Sequence, residues 1–233
     1  MKRFYKTAAA EPADGGWRVA LDGRGVKTVG GRPQIVPTVK LAQALAAEWE
    51  SQGEEIAPER FVLRDLADYA LDVVAPDRAA AIRALLAYAE TDTLCYRGDE
   101  GEALHEHQLA IWEPLLTAAE RRWDAHFTRV GGIIHQPQPA ATLARLEQVL
   151  ASLDDFQLAA LQTLASLAAS LVIGLAALEP EADPHALWDA ANLEEDWQAE
   201  LWGKDAEALA LRDRRFGAFA AAMRFAELAR QEP

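Results

Sequence analysis

Cysteine is nearly missing from this chain: Cys95 is the only one in 233 residues. An intrachain disulfide is therefore excluded, and a reducing compartment is the expectation. A lone thiol with no legible Cys–His pairing reads as a structural residue rather than a nucleophile. Basic charge is also short. The 23 Lys and Arg face 37 Asp and Glu, a formal net charge of −14. Nucleic acid and anionic membrane surfaces both reward excess Lys and Arg, so neither is an expected partner. No internal repeat of fixed period and no low-complexity tail is present. Met1-Lys-Arg-Phe-Tyr-Lys6 runs into Thr and Ala instead of an apolar core, so no secretory leader is expected. A Gly-x-Ser-x-Gly elbow and a dinucleotide fingerprint are both missing.

Apolar residues, by contrast, are plentiful. A hydrophobic content of 51% is compatible with a sizeable core and excludes wholesale disorder. The longest uncharged stretch, Phe156 to Leu178, has leucines at 158, 161, 164, 167, 171, 175 and 178, a helical spacing. Its length is close to the roughly 20 apolar residues that a bilayer requires. The flanks argue for a buried core helix instead: Asp154 and Asp155 precede it, Glu179 and Glu181 follow, and no Lys, Arg or Trp anchors either end. No membrane insertion is expected. Ser152-Leu-Asp-Asp155 resembles a capping box for this central helix.

The rest of the chain sorts into two parts. Arg3 to Lys6 can form a short strand, and Glu11 to Gly16 is rich in turn formers. Trp17, Val19 and Leu21 alternate with polar or small residues, the period of a half-buried strand. Asp22-Gly23 is a hairpin signal, with Val26 to Val29 as the returning strand and Gln34 to Val36 as a third. Thr38 caps a helix with Leu41, Leu45 and Trp49 on one side. Beyond Ile56-Ala-Pro58 helical periodicity dominates. Helices are expected over Phe61–Val74, from Asp77 to about Glu90, along the Leu104–Leu116 stripe with Pro114 kinking or restarting it, and from about Ala140. Two short ones follow around Pro184–Ala191 and Leu193–Trp202. A last helix opens at Asp205, with Leu209, Phe216 and Phe219 inward. Val130 to His135 reads as β-like or a loop. The predicted class is α+β: a small N-terminal β-sheet/helix domain over residues 1–57, then a larger all-α helical domain over residues 58–233.

Candidate chemistry is sparse. The glycines beside Lys27-Thr28 do not make a phosphate loop, because Val26 separates Gly25 from Lys27 and no strand–loop–helix unit follows. His105 and His107 point nearly opposite ways on a helix, and the zinc-protease spacing would need a histidine where Leu109 stands. No metal and no cofactor are expected. One reading open to an enzyme is a helical small-molecule site that uses Glu106 or another buried carboxylate with a histidine. The unusual stretch is Leu193 to Glu207, where Glu194, Glu195, Asp196 and Glu200 share two turns with Trp197 and Trp202. By periodicity it is an exposed helix whose acids suit the N-terminal dipole and whose tryptophans face the core. It also has the makings of a recognition surface, because aromatics beside charge are typical of binding hot spots. Glu195 and Gln198 lie on one side of such a helix.

Several short stretches, in order and spacing, carry a family likeness: Phe4-Tyr-Lys6, Leu21 to Thr28, Leu41 to Trp49 with Gln52, and Thr91 to Arg97. The likeness continues with Gln108, Trp112-Glu-Pro-Leu-Leu116, Ser170 to Leu175, Glu194-Glu195 with Gln198, and Trp202-Gly203. One departure is Thr117-Ala-Ala119, where the pattern has an aromatic residue. The chain resembles the assembly chaperones of the F-type ATP synthase that hold the free α subunit of the catalytic head, in a bacterial-type form. The resemblance implies a two-domain chaperone, without catalysis, that covers the apolar surface of α until β takes its place. A monomer is expected, in the bacterial cytoplasm by the cysteine content and the N-terminal residues, or in the mitochondrial matrix for a processed eukaryotic member. The resemblance assigns partner binding to Glu194, Glu195, Gln198 and Trp202, and packing between the two domains to Trp49.

Overall fold

The computed structural model describes residues 1–132, 134–203 and 205–231. The chain forms two compact units. One holds Met1–Arg78, Asp155–Ala160 and the chain from Ala221 onward, and the other holds Ala79–Asp154 and Leu161–Ala220. The observed class is α+β, with a small N-terminal sheet and a larger helical part.

In the first unit, β1 (Ala8–Ala13) and β2 (Gly16–Leu21) pair antiparallel. β2 then pairs at one end with β3 (Arg24–Gly25) and at the other with β4 (Ile35–Val36). Asp22 and Gly23 both take positive φ (48° and 79°), as the tight hairpin signal requires. The Asp22 carboxylate also accepts from the backbone N–H groups of Lys6 and Thr7. The Thr7 bond and then the Lys6 bond hold its pKa below the ordinary carboxylate value. Two strand expectations change. Arg3–Lys6 forms no strand, whereas Ala8–Ala13 does, despite Pro12 and its alanines, because β2 offers a complete partner register. No strand forms over Val26–Val29: the returning strand is β3, just before it, and within the expected stretch only a lone bridge joins Lys27 to Pro33.

Helix α1 (Val39–Glu50) buries Leu41, Leu45 and Trp49, and the Thr38 side chain accepts from the Leu41 N–H. Trp49 stacks 4.5 Å from Phe61 and 5.6 Å from Tyr5, ring centre to ring centre, so its packing lies within this unit. The sheet unit runs on past Pro58. Glu48 accepts from the Leu63 and Arg64 N–H groups at the start of α2 (Val62–Tyr69). Asp68 accepts from Gln34 Nε2 and Val29 N, and Asp72 from Thr28 Oγ1 and Gly30 N. Those four bonds tie α2 and the π-helical turn Ala70–Val74 to the 28–34 loop.

The second unit is helical except for a two-residue parallel pair, β5 (Tyr96–Arg97) with β6 (Val130–Gly131). Ile133, within the stretch expected to be β-like, lies outside the described residues. The helices are α3 (Arg78–Glu90), α4 (Ala103–Trp123) and α5 (Ala140–Ser152). They continue with α6 (Asp155–Ala168, in this unit from Leu161), α7 (Leu171–Ala176), α8 (Pro184–Ala191), α9 (Leu193–Trp202) and α10 (Ala206–Ala229, in this unit as far as Ala220). Pro114 sits inside an unbroken α4. Ser152 closes α5, donating to Val149 O, and so opens no capping box for α6.

The central stretch is the main correction to the expected order. It is two helices, because Ala169 takes a left-handed φ of 47° and Ser170 caps α7 by accepting from Ile173 N. The break is bound to the turn at 92–95. Asp92 is fully buried and accepts from Val172 N and Leu94 N, while Thr93 donates from its N–H and its hydroxyl to Ala169 O. A methyl group on Gly174 would lie 2.9 Å from Leu161 and 3.1 Å from the Ala165 nitrogen, so only glycine lets α7 approach α6 this closely. Burial raises the Asp92 pKa to about 6, against the pull of its hydrogen-bond donors, and burial likewise raises Cys95 to about 12.

Between pH 4 and pH 6 the folded chain therefore holds a proton on Asp92 that the unfolded chain has released, and Asp92 makes stability fall as pH rises. In urea titrations Asp92→Asn should remove that part of the slope; curves parallel to wild type across this window would contradict the assignment. Asp92→Ala, which strands the same donors, should cost on the order of 3 kcal/mol.

A candidate protein-binding face on helix α9

The helix that carries the predicted site stands on a well-fixed base. Asp183 caps α8 through His185 N, and Pro184 occupies its first turn. Trp188 is buried against Phe216 and Phe219, and the buried Trp112 donates from Nε1 to Ala190 O at 2.7 Å. Asn192 turns the chain by bonding twice to Trp188 O, and α9 starts at the next residue. Gly203, at φ 97°, ends it.

Only Leu193 of α9 is fully buried. Three side-chain contacts hold the rest. Glu194 Oε1 accepts from the buried Gln108 Nε2 at 2.6 Å, and the other end of that amide accepts from Gly98 N. Asp196 pairs with Arg212 of α10, which also reaches Asp189 at 3.0 Å. Trp197 lies 5.7 Å from the His107 ring. The acids of the first turn thus have different tasks, although all three suit the positive end of the helix dipole.

Of the predicted residues, Glu195, Gln198 and Trp202 fall at i, i+3 and i+7 and share one exposed face. Glu194 sits at its edge, turned toward Gln108. Neither the Glu195 nor the Gln198 side chain has a hydrogen-bond partner among the described residues. Trp202 is 86% exposed and Leu201 63% exposed, contrary to the expectation that the tryptophans face the core. Lys204, in the same stretch, lies outside the described residues.

Beside this face lies a trough of about 770 Å³ between α4, α8, α9 and α10. Ile111, Leu115, Leu187, Leu193, Trp197 and Leu209 give it apolar walls, and Asp189, Asp196, Glu200 and Arg212 give it polar ones. The sequence placed Ile111 and Leu209 in the core, yet they are 39% and 41% exposed. On α4 the buried line is Gln108, Trp112, Leu116, Ala119 and Trp123, a strict helical repeat, so the apolar arc is wider than the core needs. That excess width is the signal from which the trough was legible. Glu106, the carboxylate offered for an enzyme, is exposed on α4, and the buried Asp92 is engaged by backbone and hydroxyl donors with no histidine among them. Among the described residues no three potential metal-ligating side chains converge, and no helix is long and apolar enough to cross a membrane.

A rigid helical base holds this acid-headed, indole-tipped helix out to solvent. Comparison with known proteins gives the chain a family. The family model for the ATP12 chaperone protein matches residues 2–120. The crystal structure of Atp12 from Paracoccus denitrificans superposes with a TM-score of 0.93 at 37% identity, covering 98% of each chain, as does that of a point mutant of the same protein. A protein of Agrobacterium tumefaciens matches at 35% identity and TM-score 0.93, covering 98% of this chain and 86% of that one. Protein atp12, mitochondrial, of Schizosaccharomyces pombe is 26% identical over 87% of this chain and 74% of its own. The chain belongs to the ATP12 chaperone family, and it is a chaperone of ATP synthase assembly rather than an enzyme.

Neighbouring glutamates should respond differently to mutation. Glu194→Ala leaves the buried Gln108 amide without its acceptor and should cost about 1–2 kcal/mol. Glu195→Gln and Trp202→Ala should change stability by less than about 0.5 kcal/mol. Chemical denaturation of the three variants checks both statements, and equal losses at Glu194 and Glu195 would refute the division of labour.

Proposed function

We propose that this chaperone acts as a monomer, in the cytoplasm of a bacterial cell, on the unassembled α subunit of the F-type ATP synthase. It shields the apolar surface of α until the β subunit takes its place, and Glu194, Glu195, Gln198 and Trp202 belong to the contact. The observation that carries this reading is the face of α9, where an indole 86% exposed stands on the same helix side as a glutamate without a partner among the described residues. Large exposed aromatics are unfavourable in water unless a partner covers them, and Trp is among the residues most enriched at binding hot spots. An interface of about 1,600 Å² in total suffices for specific capture. Exchange with β then requires only that the chaperone bind more weakly than the final neighbour.

Co-expression with the α subunit tests the reading. The chain should raise the soluble fraction of α and co-purify with it. Glu195→Lys should weaken that capture about tenfold or more while the melting temperature stays within about 3 °C of wild type. If α aggregates equally with and without the chain, the proposal fails. Undiminished capture by a folded Glu195→Lys variant removes α9 from the contact.

A further inference from the structure

The trough beside α9 has features that the exposed face alone does not explain. Its walls combine large aliphatic side chains with an excess of negative charge: Asp189, Asp196 and Glu200 face a single guanidinium, Arg212. Arg212 is bonded to Asp189 and Asp196, so these two acids are satisfied within the unit. The Glu200 carboxylate has no hydrogen-bond or ion-pair partner among the described residues. The apolar character continues past the rim, since Leu201, Trp202 and Leu211 are all at least half exposed. A small ligand would be recognised by convergent polar groups in an enclosed cleft. Here the polar groups are mostly paired with one another, and the apolar surface spreads outward, as a polypeptide segment requires.

We infer that this trough seats an apolar segment of the α subunit that carries a lysine or arginine, its aliphatic side chains covering Ile111 and Leu209 and its cation meeting Glu200. The inference rests on the reading that α is the client, and it adds which chemistry of α is read. Charge selects the occupant. A second copy of this chain, with a net charge of −14, would bring like charge to an acidic trough, whereas a basic apolar segment brings the complement. Seating in the trough also gives the client two anchors on one helix, since Glu200 and Trp197 lie on the trough side of α9 and Glu195 and Trp202 on its exposed side.

The test uses the full chain co-expressed with α. A photo-crosslinking p-benzoylphenylalanine at position 209 should attach to α, and the digested adduct should contain large aliphatic residues with a Lys or Arg within about one helical turn. Leu209→Asp and Glu200→Lys should each reduce capture about tenfold or more. Their unfolding midpoints should stay within about 3 °C of wild type, because both positions are exposed. An adduct to a second copy of the chain, an adduct to an α segment without a cation, or full capture by both variants would overturn the inference. If Glu195→Lys abolishes capture while both trough variants keep it, only the trough assignment falls. If wild type itself captures no α, the client reading falls, and the trough assignment with it.

Discussion

The Asp92 carboxylate joins two segments of the helical unit that are 80 residues apart in the chain. One of its oxygens caps the short turn Thr93–Cys95 by accepting from Leu94 N, and the other takes the N–H of Val172 at the start of α7. Thr93 completes the clasp by donating twice to Ala169 O. The central apolar stretch must therefore stop after α6, pass through a left-handed alanine and set off again as α7. A non-glycine residue in that conformation is strained, and the two bonds from Thr93, with the buried bonds of Asp92 and Ser170 on either side, hold it there. Much of the architecture follows from this break. α7 comes close enough to α6 that position 174 has no room for a side chain. The chain leaves α7 toward α8, and from α8 the turn at Asn192 launches α9.

The elements that periodicity specifies strongly were legible in the sequence. They include the amphipathic α1 with its Thr38 cap, the Asp22-Gly23 hairpin, the two short helices at 184–191 and 193–202, and the α+β class itself. What escaped is physical in origin. The break at Ala169-Ser170 leaves no mark in hydropathy, because alanine and serine fit the middle of a buried helix; its cause lies 77 residues earlier, at Asp92. Strand β1 escaped because Ala-Ala-Ala-Glu-Pro-Ala has almost no intrinsic strand preference, and tertiary pairing with β2 overrides composition. The place of α2 in the sheet unit escaped because the acids that dock it, Asp68 and Asp72, read as ordinary solvated residues of a helix.

In the α9 stretch the sequence assigned the tryptophans alike, whereas the fold separates them. Trp197 lines the trough against His107, while Trp202 stands in solvent. The glutamates divide in the same way, Glu194 bonding the interior through Gln108 and the Glu195 side chain standing exposed. The anchored and the exposed positions of α9 are thus interleaved residue by residue. Interleaving of this kind keeps an exposed helix face ordered, and an ordered face loses less conformational entropy in any contact it makes.

The outermost strand of the small sheet has a bearing on any protein that handles aggregation-prone chains. β1 pairs only with β2 among the described residues, and of its outward row of main-chain groups the Ala8 N–H is taken by Glu50. Pro12 deletes one donor from that strand, and Glu11, paired with Arg18, places charge on it. Both devices discourage ribbon-like growth from an open border. An unguarded border would invite any extended chain that met it to add itself as a further strand.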